Sequence, residues 1–338
     1  MLKRTLITEQ PFEFEAGGRL EHLTVAYHIS KEKYTPGDKV IVICHALTAN
    51  SDAEDWWPQL VGPGKLLDTQ KYFILCVNML GSPYGSSGPA SPKTDGTPYY
   101  FDFPKVTVRD MVRASILVRK SLGVDHIDLL VGSSIGGFQA FEWAVQEPDI
   151  VRNAAFMATA PRVSGWLSAT MEAQRMALEA DRSFRECRSL DGGKEGLKCA
   201  RAQGLITYRG YDGYCRTQGE PDVDALFAGR AASYERYQGE KLAARFDAYS
   251  YWYLCYAVDS NNVGRGRGGV EKALGTIKAA TTVVSIDTDL IFPPKEGEIW
   301  AKYIPGADYR VIHSEFAHDG FLLEYEQLTK IIEPILNR

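Results

Sequence analysis

The chain has 338 residues, 45% hydrophobic and 24% charged, with a formal net charge of −5 at pH 7. That length suits one large α/β domain with an insertion, or two modest domains. The mild acidity gives no electrostatic reason to expect nucleic acid or an anionic membrane as a partner. The six cysteines (Cys44, Cys76, Cys187, Cys199, Cys215, Cys255) form neither C-x-x-C nor zinc-ligand spacing, so they read as incidental or buried thiols of a reducing compartment, with no metal.

Residues 1–5 contain no apolar core of signal-peptide length and no stretch reaches transmembrane length, which points to a cytoplasmic protein. Residues 23–28, 39–44 and 72–77 read as strands, the second apolar enough to lie inside a sheet covered on both faces. Residues 81–99 are dense in Gly, Pro and Ser and read as a long loop, a length that is often functional. Met111, Val112, Ile116 and Leu117 give 108–122 a helical spacing. A strand over 127–131 leads into a sharp turn, a helix from Gly137, and a further strand over 151–158. Between about 161 and 262 the pattern changes to helix formers, Arg and Tyr, with no strand. The aromatic run Tyr249-Ser250-Tyr251-Trp252-Tyr253 in this region suits either core or the wall of a tunnel. Alternation resumes with a strand over 281–286, a helix near 296–303 and a strand over 309–312. Strands alternating with helices indicate a mostly parallel sheet flanked by helices. The division that follows is an α/β core over 1–161 and 266–338, interrupted by a helical cap over 162–265.

The chemistry concentrates at Gly132-Ser133-Ser134-Ile135-Gly136, a G-x-S-x-G sequence lying between an apolar strand and a helix. Such a turn is tight, and its glycines leave room where backbones pack closely. It lifts the Ser134 hydroxyl clear of the sheet, near the positive end of the following helix. Ser133 is the rival nucleophile, but it has Val131 two positions upstream where the motif needs glycine.

A serine hydroxyl needs a base, and the base needs an orienting acid. In this class both follow the serine in the chain, acid first. Of the six histidines, His318 stands in a loop after the last strand and before the terminal helix, with His313 as runner-up. Asp287 and Asp289 both follow the strand over 281–286. Asp289 is preferred because it opens Asp-Leu-Ile-Phe-Pro-Pro ahead of a helix start. One oxyanion donor is the N–H after the nucleophile, Ile135. The loop His45-Ala46-Leu47-Thr48 supplies the other at Leu47, with His45 holding the loop in shape.

With these residues placed, the chain resembles the homoserine O-acetyltransferases of the α/β-hydrolase type. The likeness covers nearly the whole length. Its landmarks include His45-Ala46-Leu47-Thr48, Asn78-Met79-Leu80-Gly81, Tyr84-Gly85-Ser86-Ser87-Gly88-Pro89, Arg109-Asp110-Met111-Val112 and His318-Asp319-Gly320-Phe321. The resemblance implies the same triad, Ser134, Asp289 and His318. It implies a substrate-binding Arg201 and Tyr208 in the cap and Asp319 as the holder of a substrate ammonium. It also implies ping-pong transfer of an acetyl group from acetyl-CoA to the hydroxyl of L-homoserine in methionine biosynthesis. No permanently bound cofactor is implied, and the expected assembly is a homodimer formed through cap helices. Two departures stand out: Gly-Ser-Ser-Ile-Gly-Gly over 132–137 where the family commonly has Gly-Gly-Ser-Met-Gly-Gly, and Gly81-Ser82-Pro83 in place of a glycine-rich segment. Relatives of the same architecture use succinyl-CoA or acylate serine, and an esterase would carry the same triad.

Overall fold

Apolar runs long enough to be covered on both faces become the interior strands of one sheet. A computed structural model describes residues 1–337. In chain order the strands are β1 (Leu2–Ile7), the short hairpin β2 (Phe12–Glu13) and β3 (Arg19–Leu20), then β4 (Thr24–Ile29), β5 (Val40–Cys44), β6 (Phe73–Val77), β7 (Leu129–Ser133), β8 (Asn153–Met157), β9 (Ala280–Ile286) and β10 (Asp308–Ile312). The main sheet has the order β1-β4-β6-β5-β7-β8-β9-β10. From β6 to β10 every pairing is parallel, while β4 pairs antiparallel with both β1 and β6. This is the α/β-hydrolase arrangement, and the central strands β5, β6 and β7 are buried at every position.

Helices cover the two faces. The short α1 (Ala53–Trp56) follows β5, α2 (Val108–Ser121) leads into β7, and α3 (Ile135–Gln146) follows it. A run of six helices then follows β8: α4 (Gly165–Ala180), α5 (Arg182–Glu186), α6 (Lys194–Tyr208), α7 (Tyr211–Gln218), α8 (Arg230–Ala243) and α9 (Ala248–Asp259). The chain leaves and re-enters the core at neighbouring points. Val163 N–H donates to Asn261 O at 2.9 Å, and Val263 N–H to Pro161 O at 3.0 Å. After α10 (Val270–Leu274) and β9, α11 (Pro294–Ala301) crosses to β10, and α12 (Gly320–Leu323) and α13 (Tyr325–Leu336) close the fold.

Four local readings change. β1 carried no sequence signal because it is an edge strand with alternate residues exposed. β7 runs to Ser133, later than expected, and Ile127 makes only an isolated bridge to Val151. Helix α3 begins at Ile135 rather than Gly137, because Ser134 itself makes the turn and serves as the N-cap residue. Finally, the loop over 81–99 lies outside the cavity described below and completes the sheet instead. Ser86 Oγ accepts from Ala26 N–H at 3.0 Å, and Ser87 Oγ from Thr24 N–H at 2.9 Å, on strand β4. The aromatic run in α9 is core: Tyr249, Tyr251 and Tyr253 are buried, with Tyr251 Oη donating to Gln174 Oε1 at 2.6 Å.

The closest packing in the core occurs where α3 meets the end of β5. A Cβ on Gly136 would collide with the carbonyl of Cys44 and stand 2.8 Å from that of His45, whereas Gly165 at the start of α4 faces open space. Gly136→Ala should therefore cost at least ~2 kcal/mol of stability, since backbone cannot yield as a side chain can. Gly165→Ala should be neutral or slightly stabilising. Urea denaturation of the two variants provides the comparison, and equal midpoints would contradict the packing constraint.

Candidate active site

The turn after β7 holds Ser134 at φ 56° and ψ −129°, a conformation that costs a non-glycine residue roughly 1–3 kcal/mol. Surrounding bonds hold it there. Ser134 N–H lies 3.2 Å from the carbonyls of Met157 and Ala158, and its own carbonyl accepts from Thr159 Oγ1 at 2.8 Å. Gly132, Gly136 and Gly137 are each packed so that a Cβ would clash, against Gly136, Cys44 and Thr159 respectively. Ser133 points the other way. It is buried, with its hydroxyl lacking any partner among the described residues.

A continuous hydrogen-bond line runs from Ser134. His318 Nε2 lies 2.9 Å from Ser134 Oγ, and His318 Nδ1 lies 2.8 Å from Asp289 Oδ2. The other carboxylate oxygen of Asp289 accepts from the N–H groups of Ile291 (2.8 Å) and Phe292 (3.1 Å). An acceptor-only carboxylate keeps the proton on Nδ1 and accepts a hydrogen bond from it, which leaves Nε2 free to accept from the serine. Burial alone would disfavour the imidazolium, but the adjacent Asp289 charge outweighs it and His318 titrates above its ordinary value. The loop carrying His318 is anchored at both ends: Ser314 N–H donates to Asp287 Oδ1 at 3.1 Å, and Trp57 Nε1 donates to Phe321 O at 2.9 Å.

The two alternatives considered from sequence, His313 and Asp287, pair with each other instead. Their contact is 2.5 Å, with the His313 side chain 78% exposed. They form a surface ion pair that leaves Ser134 to His318.

The proposed oxyanion donors converge on the same cavity, about 300 Å³, whose wall includes Leu47, Ser134, Ile135 and His318. Ile135 is the first residue of α3, so its N–H has no partner in a preceding turn. Leu47 N–H makes no backbone hydrogen bond among the described residues. Its direction is fixed by its peptide partner, since the Ala46 carbonyl in the same plane lies 2.9 Å from His45 Nδ1 and accepts from Ala49 N–H at 3.0 Å. His45 is fully buried, and burial pushes its imidazole down to about 4, so it is neutral. Its Nε2 accepts from Met79 N–H at 3.2 Å.

The cap contributes charge. Arg201 and Tyr208 of α6 both line the cavity, with the guanidinium 5.8 Å from the tyrosine ring centroid. The Tyr208 ring lies 6.0 Å from that of His318. Arg201 has no carboxylate partner and makes no hydrogen bond among the described residues, so its charge faces the cavity. Asp319 also lines it, but not alone: Arg209 Nε stands 2.7 Å from Asp319 Oδ2. Arg209 carried no distinguishing signal in the sequence, because one arginine at a helix end reads as surface until its partner is seen. The wall also includes the apolar side chains of Phe138, Leu167 and Phe292, together with the polar Thr48 and Gln238 and the cationic Lys241.

Known proteins resemble this chain along nearly its whole length. A family model for the alpha/beta hydrolase fold matches residues 39–324. A homoserine O-acetyltransferase from Cyclobacterium marinum is 38% identical over 334 residues, spanning 98% of this chain and 95% of the relative. One from Nostoc punctiforme is 40% identical over 332 residues, spanning 96% and 93%. Among solved structures, a homoserine O-acetyltransferase from Bacillus anthracis superposes with TM-score 0.90 at 24% identity, covering 100% of this chain and 98% of that one. Esterase E22 superposes with TM-score 0.88 at 22% identity, covering 99% of each. At those identities the structural likeness speaks for the fold alone.

His318 must be neutral to accept the serine proton, so acylation of Ser134 should fall as pH drops through the histidine's pKa. Because Asp289 raises that pKa, the acid limb should lie above the ~6.5 of an ordinary histidine. Asp289→Asn should move the limb downward and slow acylation by about 10⁴. A wild-type limb at or below the ordinary value in a pH–rate profile would contradict this arrangement.

Proposed function

Because the chain belongs to the homoserine O-acetyltransferase family of the α/β-hydrolase fold, we propose that it moves an acetyl group from acetyl-CoA to the hydroxyl of L-homoserine through an acyl-Ser134 intermediate. The observation that carries the choice of acceptor is charge. Arg201 and Asp319 place a cation and an anion in the cavity that holds Ser134 and His318. That pairing suits a zwitterion, with the guanidinium taking the α-carboxylate and the aspartate the ammonium. Tyr208 lies between Arg201 and His318 and supplies a wall for the acceptor's carbon chain.

In the first half-reaction His318 Nε2 takes the Ser134 proton as Oγ attacks the thioester carbonyl. The Leu47 and Ile135 N–H groups stabilise the developing oxyanion, a contribution typically worth about 10²–10³ in rate for each donor. The C–S bond breaks, and His318 returns the proton to the departing CoA thiolate. In the second half-reaction the same nitrogen takes the proton of the homoserine hydroxyl, whose oxygen attacks the acyl carbon. Collapse releases O-acetylhomoserine and reprotonates Ser134. The choice of acetyl as the acyl group is supported by the relatives, which are homoserine O-acetyltransferases. Homoserine acetylation places the enzyme in methionine biosynthesis. Assembly as a homodimer through the cap, and a cytoplasmic location, are part of the same proposal. No helix among the described residues is long and apolar enough to cross a membrane.

Mixing the enzyme with acetyl-CoA should yield a protein heavier by one acetyl group, with the modification on the peptide containing Ser134. Ser134→Ala should show none by intact-mass measurement. An acetylated Ser134→Ala protein would remove Ser134 as the nucleophile.

A further inference from the structure

We propose that Arg209 is a positioning residue for acceptor selection: it holds one oxygen of the Asp319 carboxylate and leaves the other for the acceptor's ammonium. This rests on the acceptor assignment above and adds a residue to it. Arg209 Nε lies 2.7 Å from Asp319 Oδ2, and both residues line the cavity beside Ser134 and His318. The Arg209 Nε–H is shut off from solvent and makes no aligned hydrogen bond, so this ion pair is its only polar engagement in the structure described. No protein donor hydrogen-bonds either Asp319 oxygen among the described residues, so the carboxylate retains capacity for a ligand's N–H groups.

The placement of Arg209 is built in. It follows the last turn of α6, with its N–H donating to Leu205 O at 3.0 Å. The next corner of the cap is pressed onto the loop that carries His318. A Cβ on Gly210 would strike the Glu315 carbonyl, a Cβ on Gly213 would come within 2.6 Å of it, and Arg216 Nε donates to Glu315 Oε2 at 3.0 Å. Only glycine at these positions lets the cap approach closely enough for Arg209 to reach Asp319.

The charge balance explains why Asp319 needs such a partner. Burial pushes its carboxyl upward, and Arg209 is the foremost influence in the other direction. The other groups facing it are His318 and Arg201, which also favour the anion, Asp289, which disfavours it, and the Tyr208 phenol. With Arg209 removed, the carboxyl retains its proton further into the working range, and a neutral acid is a weak partner for an ammonium. Arg209 therefore acts on acceptor discrimination through Asp319, without touching the reacting atoms.

The test compares homoserine with 4-hydroxybutyrate, the same acceptor without its ammonium, in wild type, Arg209→Met and Arg209→Lys. Arg209→Met should lower the homoserine to 4-hydroxybutyrate ratio of kcat/KM at least ~tenfold near neutral pH. The ratio should recover as pH rises and Asp319 ionises, while the wild-type ratio should change less with pH because Arg209 favours the anion. Arg209→Lys should restore most of the discrimination. An unchanged ratio in Arg209→Met, or a loss independent of pH and unrelieved by lysine, would overturn the proposal. Acyl-enzyme formation with acetyl-CoA, followed by mass in the same variants, separates the two readings. Its absence in wild type would instead defeat the acyltransferase mechanism.

Discussion

The approach of α3 to the end of β5 sets the geometry of the whole site. Gly136 lies directly against the carbonyls of Cys44 and His45. This contact brings the nucleophile's turn and the 45–48 loop to one point. It is what sets Leu47 and Ile135, the proposed oxyanion donors, in the wall of one cavity. The strained Ser134 backbone is the cost of the same closeness, and it is offset by bonds to Met157, Ala158 and Thr159 at and just beyond the end of β8. His45 completes the arrangement from below as a neutral imidazole that orients the Ala46–Leu47 peptide. Preorganised donors of this kind need no rearrangement when charge develops, which is why they contribute so much to rate.

Core and cap divide the work. The sheet presents Ser134, Asp289 and His318 from the ends of β7, β9 and the segment after β10, a constellation able to transfer an acyl group to any suitably placed hydroxyl. In the function proposed above, the groups that choose between water and an amino acid come mainly from α6. Arg201, Tyr208 and Arg209 lie on that helix or immediately after it, and Asp319 meets them from the His318 loop. The fold itself is indifferent to this choice, since an esterase and a homoserine O-acetyltransferase superpose on the chain almost equally well. On the proposed reading, specificity rests with a few charged side chains set over a shared fold.

The elements legible in the sequence were those whose cause is local. The apolar runs of β5, β6 and β7 and the glycines of the turn follow from burial and close approach, both visible in a short window. Local context separated Asp289 and His318 from Asp287 and His313, which share the same chain order and pair with each other on the surface. Where the reading slipped, the missing information was tertiary. The serines of 81–99 look like a functional loop until they are seen satisfying the backbone of β4. Arg209 has no meaning in sequence because its role depends on a carboxylate far along the chain, delivered through the contact of Gly210 and Gly213 with Glu315. The roles of Arg201, Tyr208 and Asp319 came from family resemblance rather than from spacing, for the same reason.

The proposition that acyl-Ser134 is consumed by an amino acid rather than by water is tested most directly by the fate of a preformed acyl-enzyme. The enzyme is acetylated with acetyl-CoA, freed of excess donor, and followed with and without saturating homoserine. Loss of the acyl group should be at least ~100-fold faster with homoserine, with the acetyl group recovered on the homoserine hydroxyl. Equal rates of loss, with free acetate as the product in both cases, would contradict the transferase mechanism and identify a hydrolase built on the same triad.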